Sequence, residues 1–259
     1  MIDTHSHIYS EEFSEDKQEV IQRAKEAGVR HIIMPNVDGE SLPLLLETEK
    51  TFPDYCHAAI GLHPTSVNEN YHSELEIIER ELERRQWIGV GEIGIDLYWD
   101  KTYIREQIIV FRQQIEWAIK YNLPVIIHVR DSFDETMQVL SEFKSSPLKG
   151  IFHSFAGNLE QANEMLEFNG FMLGINGIIT FKNSGLANVV RNLPLNRLVL
   201  ETDAPYLTPA PFRGKRNESA YLSLVVNKFS EVFQLSTDEI ITQTIENTLK
   251  IFNKLGATK

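Results

Sequence analysis

Apolar and polar positions along this chain alternate between two periods. Short runs rich in β-branched and other apolar residues occur at 2–5 (IDTH), 31–37 (HIIMPNV), 57–62 (HAAIGL), 87–92 (WIGVGE), 123–129 (LPVIIHV), 150–155 (GIFHSF), 170–175 (GFMLGI) and 197–203 (RLVLETD). Each is bounded by Gly, Pro, Asn or a charge, as buried strands are. Amphipathic stretches of helical period lie between them, at 15–28, 73–85 and 105–122 among others. The first closes on Gly28 and the third runs into Asn122 and Pro124, both stop signals. Residues 219–257 read as largely helical.

Strand-then-helix alternation predicts a parallel sheet with helices packed on it. Eight such units in a chain of 259 residues match the size of a (β/α)8 TIM barrel. An open doubly wound sheet is the competing architecture, but no GxGxxG follows the first strand. Without a repeat, a low-complexity tract or a linker, residues 1–259 are expected to form one domain.

Composition narrows the function. At 42% hydrophobic and 24% charged residues, the chain is an ordinary globular protein. Cys56 is its only cysteine, so no internal disulfide forms. No secretory leader pattern follows Met1, and no apolar run approaches the roughly 20 residues that span a bilayer. A cytoplasmic location without membrane association is the expectation, and no obligate protein partner is evident. The net charge of −12 and pI of about 5.2 argue against a protein held along nucleic acid by bulk electrostatics. They leave room for a nuclease with a small cationic pocket.

The eight histidines are unevenly placed. His31 and His57 open strand-like runs, and His72 lies in a loop before a helix. The other five lie near or just past the distal end of a run: His5 and His7, His63, His128 and His153. Glu92 ends the fourth run, and Glu201 and Asp203 end the eighth. In a parallel barrel all strands finish on one rim, where barrel active sites are built. His5 and His7 are two apart, so an extended chain turns both imidazoles to one side. Glu201 and Asp203 are expected to share that relation.

Burying so many titratable groups together is costly unless cations compensate them. His5, His7, Glu92, His128, His153 and Asp203 are therefore the candidate metal ligands. Six ligands suit two divalent ions sharing a carboxylate, with Glu92 as the bridge. Imidazole and carboxylate without thiolate fit Zn, Mn, Co, Ni or Fe better than a site of oxygen ligands alone; Mg remains a candidate. Asp203 can ligate and also take a proton from water, and Glu201 is a candidate group orienting it.

The stretches IDTHSHI, GLHP, GEIGIDLYWDK, PVIIHVRD, HSFAG, GIIT-FKNS, LETDAPYLTP and FRGKRN resemble the TatD family of metal-dependent deoxyribonucleases, in the expected order from Ile2 to about Tyr221. The resemblance implies a (β/α)8 barrel related to the amidohydrolases. It places the same six residues on the family's metal-binding positions and His63, in the GxHP motif, near the substrate. It further implies 3′-to-5′ exonuclease action on single-stranded DNA, with RNA possible. Four positions depart from the family pattern: Ser6, Leu97, Val129 and Ser219. Leu97 replaces an aromatic and is expected to bear on substrate stacking.

Arg213, Lys215 and Arg216 form the densest basic stretch, just after the last strand. Arg130 follows His128. Arginine suits bidentate phosphate capture, so Arg130, Arg213 and Arg216 are candidate substrate contacts. Tyr98, Trp99 and Tyr206 are candidates to stack on a base. The alternative activity is hydrolysis of a small-molecule amide or ester. Related barrels that do this often bridge their metals with a carboxylated Lys, whereas the fourth strand here ends in Glu92. A non-catalytic metal- or nucleic-acid-binding module is a third reading.

Overall fold

The computed structural model describes residues 1–257. Eight parallel strands follow one another around a ring: β1 Ile2–Asp3, β2 His31–Pro35, β3 Cys56–Ala59, β4 Val90–Asp96, β5 Val125–Arg130, β6 Gly150–Phe152, β7 Phe171–Ile175 and β8 Leu198–Leu200. The ladders run unbroken from β1 to β3 and from β4 to β8. Parallel bridges join the two arcs at Ile60–Val90 and at Ser6–Ala204. At the second seam, Thr4 N–H donates to Leu200 O (3.1 Å), Asp203 N–H to His5 O (2.9 Å) and His7 N–H to Ala204 O (2.7 Å). The architecture is the expected (β/α)8 barrel.

Helices α1 Lys17–Glu26, α2 Leu42–Thr51, α3 Tyr71–Arg84, α4 Ile104–Lys120, α5 Phe133–Ser141, α6 Leu159–Leu166, α7 Leu186–Val190, α8 Leu222–Phe233 and α9 Thr237–Ile251 pack outside it. Their apolar faces and the outward strand residues make one continuous core, from Val20 and Leu45 through Phe111 and Ile115 to Phe229. A second, inner cluster takes one residue from each of seven strands: Ile2, Ile33, Ala59, Ile126, Ile151, Met172 and Val199. Ile251, Phe252 and Leu255, from the end of α9 and just beyond, join this cluster and plug the N-terminal mouth. With that mouth filled, chemistry is confined to the opposite rim.

His72 lies within the first turn of α3, not in the loop before it. The departure at Leu97 has no bearing on stacking, because Leu97 is buried in the core while Tyr98 and Trp99 stand exposed beside it.

Candidate metal centre

Two glycines let the strand ends meet. Gly94 has φ +143°, and a Cβ there would stand 2.1 Å from His128 O. The GEIG stretch thus lets β4 run tightly along β5, with a register irregularity between Val90 and Ile93. Gly174 on β7 leaves room for the Glu201 carboxylate, since a Cβ there would lie 2.2 Å from Glu201 Oε2. The Glu92 amide donates to Asn36 O at 3.0 Å, tying β4 to the end of β2.

Glu92 is 2% exposed and stands at the centre of a ring of imidazoles. Its two oxygens face different histidines. Oε2 lies 3.1 Å from His5 Nε2 and 3.7 Å from His7 Nε2. Oε1 lies 2.9 Å from His128 Nδ1, 3.4 Å from His63 Nε2 and 3.9 Å from His153 Nε2. Asp203 divides in the same way: Oδ1 is 3.7 Å from both His5 Nε2 and His7 Nε2, and Oδ2 is 3.6 Å from His153 Nε2. Asp203 sits in the left-handed region, φ +58°, a conformation Asp tolerates better than most residues. That turn ends the alternation expected of Glu201 and Asp203. β8 stops at Leu200, Glu201 lies behind His153, and Asp203 lies in front of it.

Charge in this set is tightly coupled. Burial works to raise the Glu92 carboxyl, but the imidazoles of His5, His63 and His153 outweigh it and hold the group well below the usual range. Burial likewise opposes charge on His153, yet Glu201, Asp203 and Glu92 push its pKa well above the ordinary value. His128 is also raised, burial being outweighed by its hydrogen bonds to Asp96 and Glu92. For His7, burial and the neighbouring His5 dominate, and its pKa falls to about 4. Asp203 is lowered, because His153, His5 and His7 outweigh its burial.

The donors fit divalent cations. Three groups, His5–Glu92–His153, His5–His7–Asp203 and His63–Glu92–His128, each bring ligand atoms within 4.8 Å of one another. The His5 and His7 Nε2 atoms converge at 3.1 Å, the edge length that bonds of about 2.0–2.1 Å to a shared ion produce. All the donors are nitrogen or oxygen, a set matched to borderline divalent ions.

Carboxylates stand behind two of the imidazoles, in the place where groups that orient metal ligands sit. Asp96 Oδ2 is 2.8 Å from His128 Nε2, and Glu201 Oε1 is 3.0 Å from His153 Nδ1 and accepts the Ser154 amide at 2.6 Å. Sequence reasoning passed over Asp96, although it stands four residues after Glu92 at the end of the same strand. His63 differs in kind. Its Nδ1 accepts the Thr65 backbone N–H at 3.2 Å, so in the neutral ring the proton is on Nε2, which faces Glu92.

Two hollows flank the ring. One, of about 460 Å³, is lined by His7, Tyr9, His63, Glu92 and Tyr206 together with Asp38 and Glu40. The other, of about 580 Å³, runs past Arg130, Ser132, His153, Ser154 and Phe155. The Arg130 guanidinium stacks over Tyr98 at 3.9 Å and lies 5.2 Å from the Trp99 ring. Arg213 lies 3.7 Å over the Phe181 ring. Arg216 has protein partners: it donates to Glu12 O and to Asp16 Oδ2 (2.6 Å) and packs on Phe13. It anchors the loop instead of reaching for a ligand.

A parallel barrel whose C-terminal rim gathers buried imidazoles around a carboxylate defines a class, the metal-dependent hydrolases of the (β/α)8 barrel type. Comparison with known proteins narrows it. A family profile described as TatD related DNase matches residues 2–253, and the chain belongs to that family. It is 37% identical over 253 residues to the uncharacterized metal-dependent hydrolase YabD of Bacillus subtilis, covering 97% of this chain and 98% of that protein. It is 28% identical to the 3′-5′ ssDNA/RNA exonuclease TatD of Erwinia tasmaniensis, over 98% of this chain and 100% of that one. The crystal structure of the Escherichia coli TatD homologue YjjV superposes with a TM-score of 0.91 at 34% identity, covering 98% of each chain. No helix among the described residues is long and apolar enough to cross a membrane.

Proposed function

We propose that the protein hydrolyses phosphodiester bonds in single-stranded DNA from the 3′ end, with RNA as a second polymer, using two divalent cations. One observation carries the reading of a pair of ions: the two oxygens of Glu92 face separate sets of candidate ligands, His5 with His7 and His128 with His153. Divalent cations so held polarise a phosphoryl oxygen and lower the pKa of water towards neutrality. The ligands are His5, His7, Glu92, His128, His153 and Asp203. His63 presents Nε2–H to a substrate oxygen. Asp203, spanning both histidine sets, receives a proton from the attacking water; Glu201 holds His153 in place.

The nucleic-acid substrate is supported by the family's description and by the name of the Erwinia relative. Arg130 and Arg213 bind the flanking phosphates. Tyr98, Trp99 and Tyr206, 54%, 69% and 55% exposed, offer faces for bases. With a net charge of −12, binding is confined to a short stretch of strand.

The test is a metal-supplemented assay on 5′-labelled single-stranded DNA, duplex DNA and RNA, with a panel of small amides and esters. Stepwise shortening of the single strand from the 3′ end is expected. Turnover of an amide or small ester with every oligonucleotide left intact would overturn the proposal in favour of an amidohydrolase.

A further inference from the structure

Behind His7 stands Tyr9, 3% exposed, whose hydroxyl has one proton to give. The hydroxyl donates to Pro35 O at 2.7 Å. A carbonyl oxygen only accepts, so the phenolic proton is committed to Pro35. The same phenolic oxygen lies 3.0 Å from His7 Nδ1. With its proton elsewhere it can only accept there, so Nδ1 carries the hydrogen and donates. A neutral imidazole has a single N–H, which leaves His7 Nε2 with a bare lone pair. That lone pair faces His5 Nε2 at 3.1 Å and Glu92 Oε2 and Asp203 Oδ1 at 3.7 Å each. The opposite tautomer would set the Nδ1 lone pair against the phenolic lone pairs.

We infer that Tyr9 is a positioning residue: its hydroxyl, polarised by the Pro35 carbonyl at the end of β2, locks His7 in the Nδ1–H tautomer and presets Nε2 as a ligand for a divalent cation. The backbone is fixed alongside, because His7 N–H donates to Ala204 O at 2.7 Å. Ring and main chain are thus held from opposite sides of the barrel seam. His63 shows the complementary device, its Nδ1 accepting from Thr65 and its Nε2 protonated. Two histidines beside one carboxylate are set in opposite tautomers, one to accept a cation and one to donate a hydrogen bond.

The inference rests on the metal-dependent reading of the site, but the tautomer can be read without a cation. Long-range ¹H–¹⁵N spectra of chelator-treated, ¹⁵N-histidine-labelled protein, with His7→Gln for assignment, report it directly. Wild type is expected to show a protonated Nδ1 and a bare Nε2 at His7. In Tyr9→Phe, which keeps the ring and removes the hydroxyl, the Nε2–H form should appear. Zn²⁺ affinity by chelator competition should fall about 10- to 100-fold, as for loss of other groups that orient metal ligands. A wild-type His7 protonated at Nε2 would overturn the inference. So would a Tyr9→Phe protein that keeps both tautomer and affinity, even with a lowered melting temperature, since that is a purely structural role. A wild type that binds no Zn²⁺ would instead end the metal reading, and the tautomer spectra would still decide for or against Tyr9.

Discussion

Glu92 is the residue on which the site turns. A buried carboxylate facing five imidazoles stays ionised because the histidines offset its desolvation, and its two oxygens divide those histidines into two sets. Glu92→Ala is expected to reduce bound metal and to lower hydrolysis by at least about a hundredfold, since on the proposed reading it removes the carboxylate that two ions share. Elemental analysis of the purified variant checks it, and full metal content would remove Glu92 from the bridging role. The six candidate ligands were legible because each lies near or just past the end of an apolar run, and in a parallel barrel those ends meet. Asp96 and Tyr9 were not. Each acts through a partner brought near by folding, His128 in one case and Pro35 with His7 in the other. Nothing in the local sequence marks which nitrogen of a histidine must be bare.

At the scale of elements, the 204–219 loop has two parts with different physics. Its last residues are fastened down. Arg216 reaches Asp16 and the Glu12 carbonyl, Glu218 takes Arg23 in a bidentate pair, and buried Asn217 donates to Thr202 O and Tyr206 O. Arg213 has an aromatic face beneath it and no carboxylate partner among the described ion pairs. The basic stretch that reads as one unit in sequence is therefore a tether plus one available guanidinium, a division set by the acidic residues before α1 that no local pattern reveals. Arg213→Ala should raise KM for an oligonucleotide several-fold with kcat and metal content kept. Arg216→Ala should instead lower stability by about 1 kcal/mol, as a partly exposed ion pair and cation–π contact are lost. Steady-state kinetics and thermal unfolding of the two variants separate the roles. A KM effect confined to Arg216→Ala would reverse them.

Across the whole molecule, the barrel keeps chemistry and stability at opposite ends. The C-terminal rim carries the coupled charges, and the N-terminal mouth is filled by Ile251, Phe252 and Leu255. That division was legible from strand direction alone, which sets His31 and His57 at the starts of their strands, away from the other histidines. The two starts are adjacent: His31 Nδ1 lies 3.0 Å from His57 Nε2. Burial, reinforced by His31, depresses the His57 pKa to about 4. An unfolded histidine titrates near 6.5, so between about pH 6.5 and 4 the unfolded chain binds the extra proton and gains on the native state. The contribution of a neutral His57 is fully present above about pH 6.5 and is lost as pH falls through that window. His57→Gln cannot take up the proton. The wild type should therefore lose about 2 kcal/mol more than the variant between pH 7 and pH 4. Hydrolysis at pH 7.5 should be unchanged, because His57 lies at the far end of the barrel from the candidate metal ligands. Urea unfolding of both proteins across this range measures the difference. Parallel stability curves would mean that His57 is as easily protonated in the fold as out of it. A variant that folds but no longer turns over would mean that the two ends of the barrel are energetically joined.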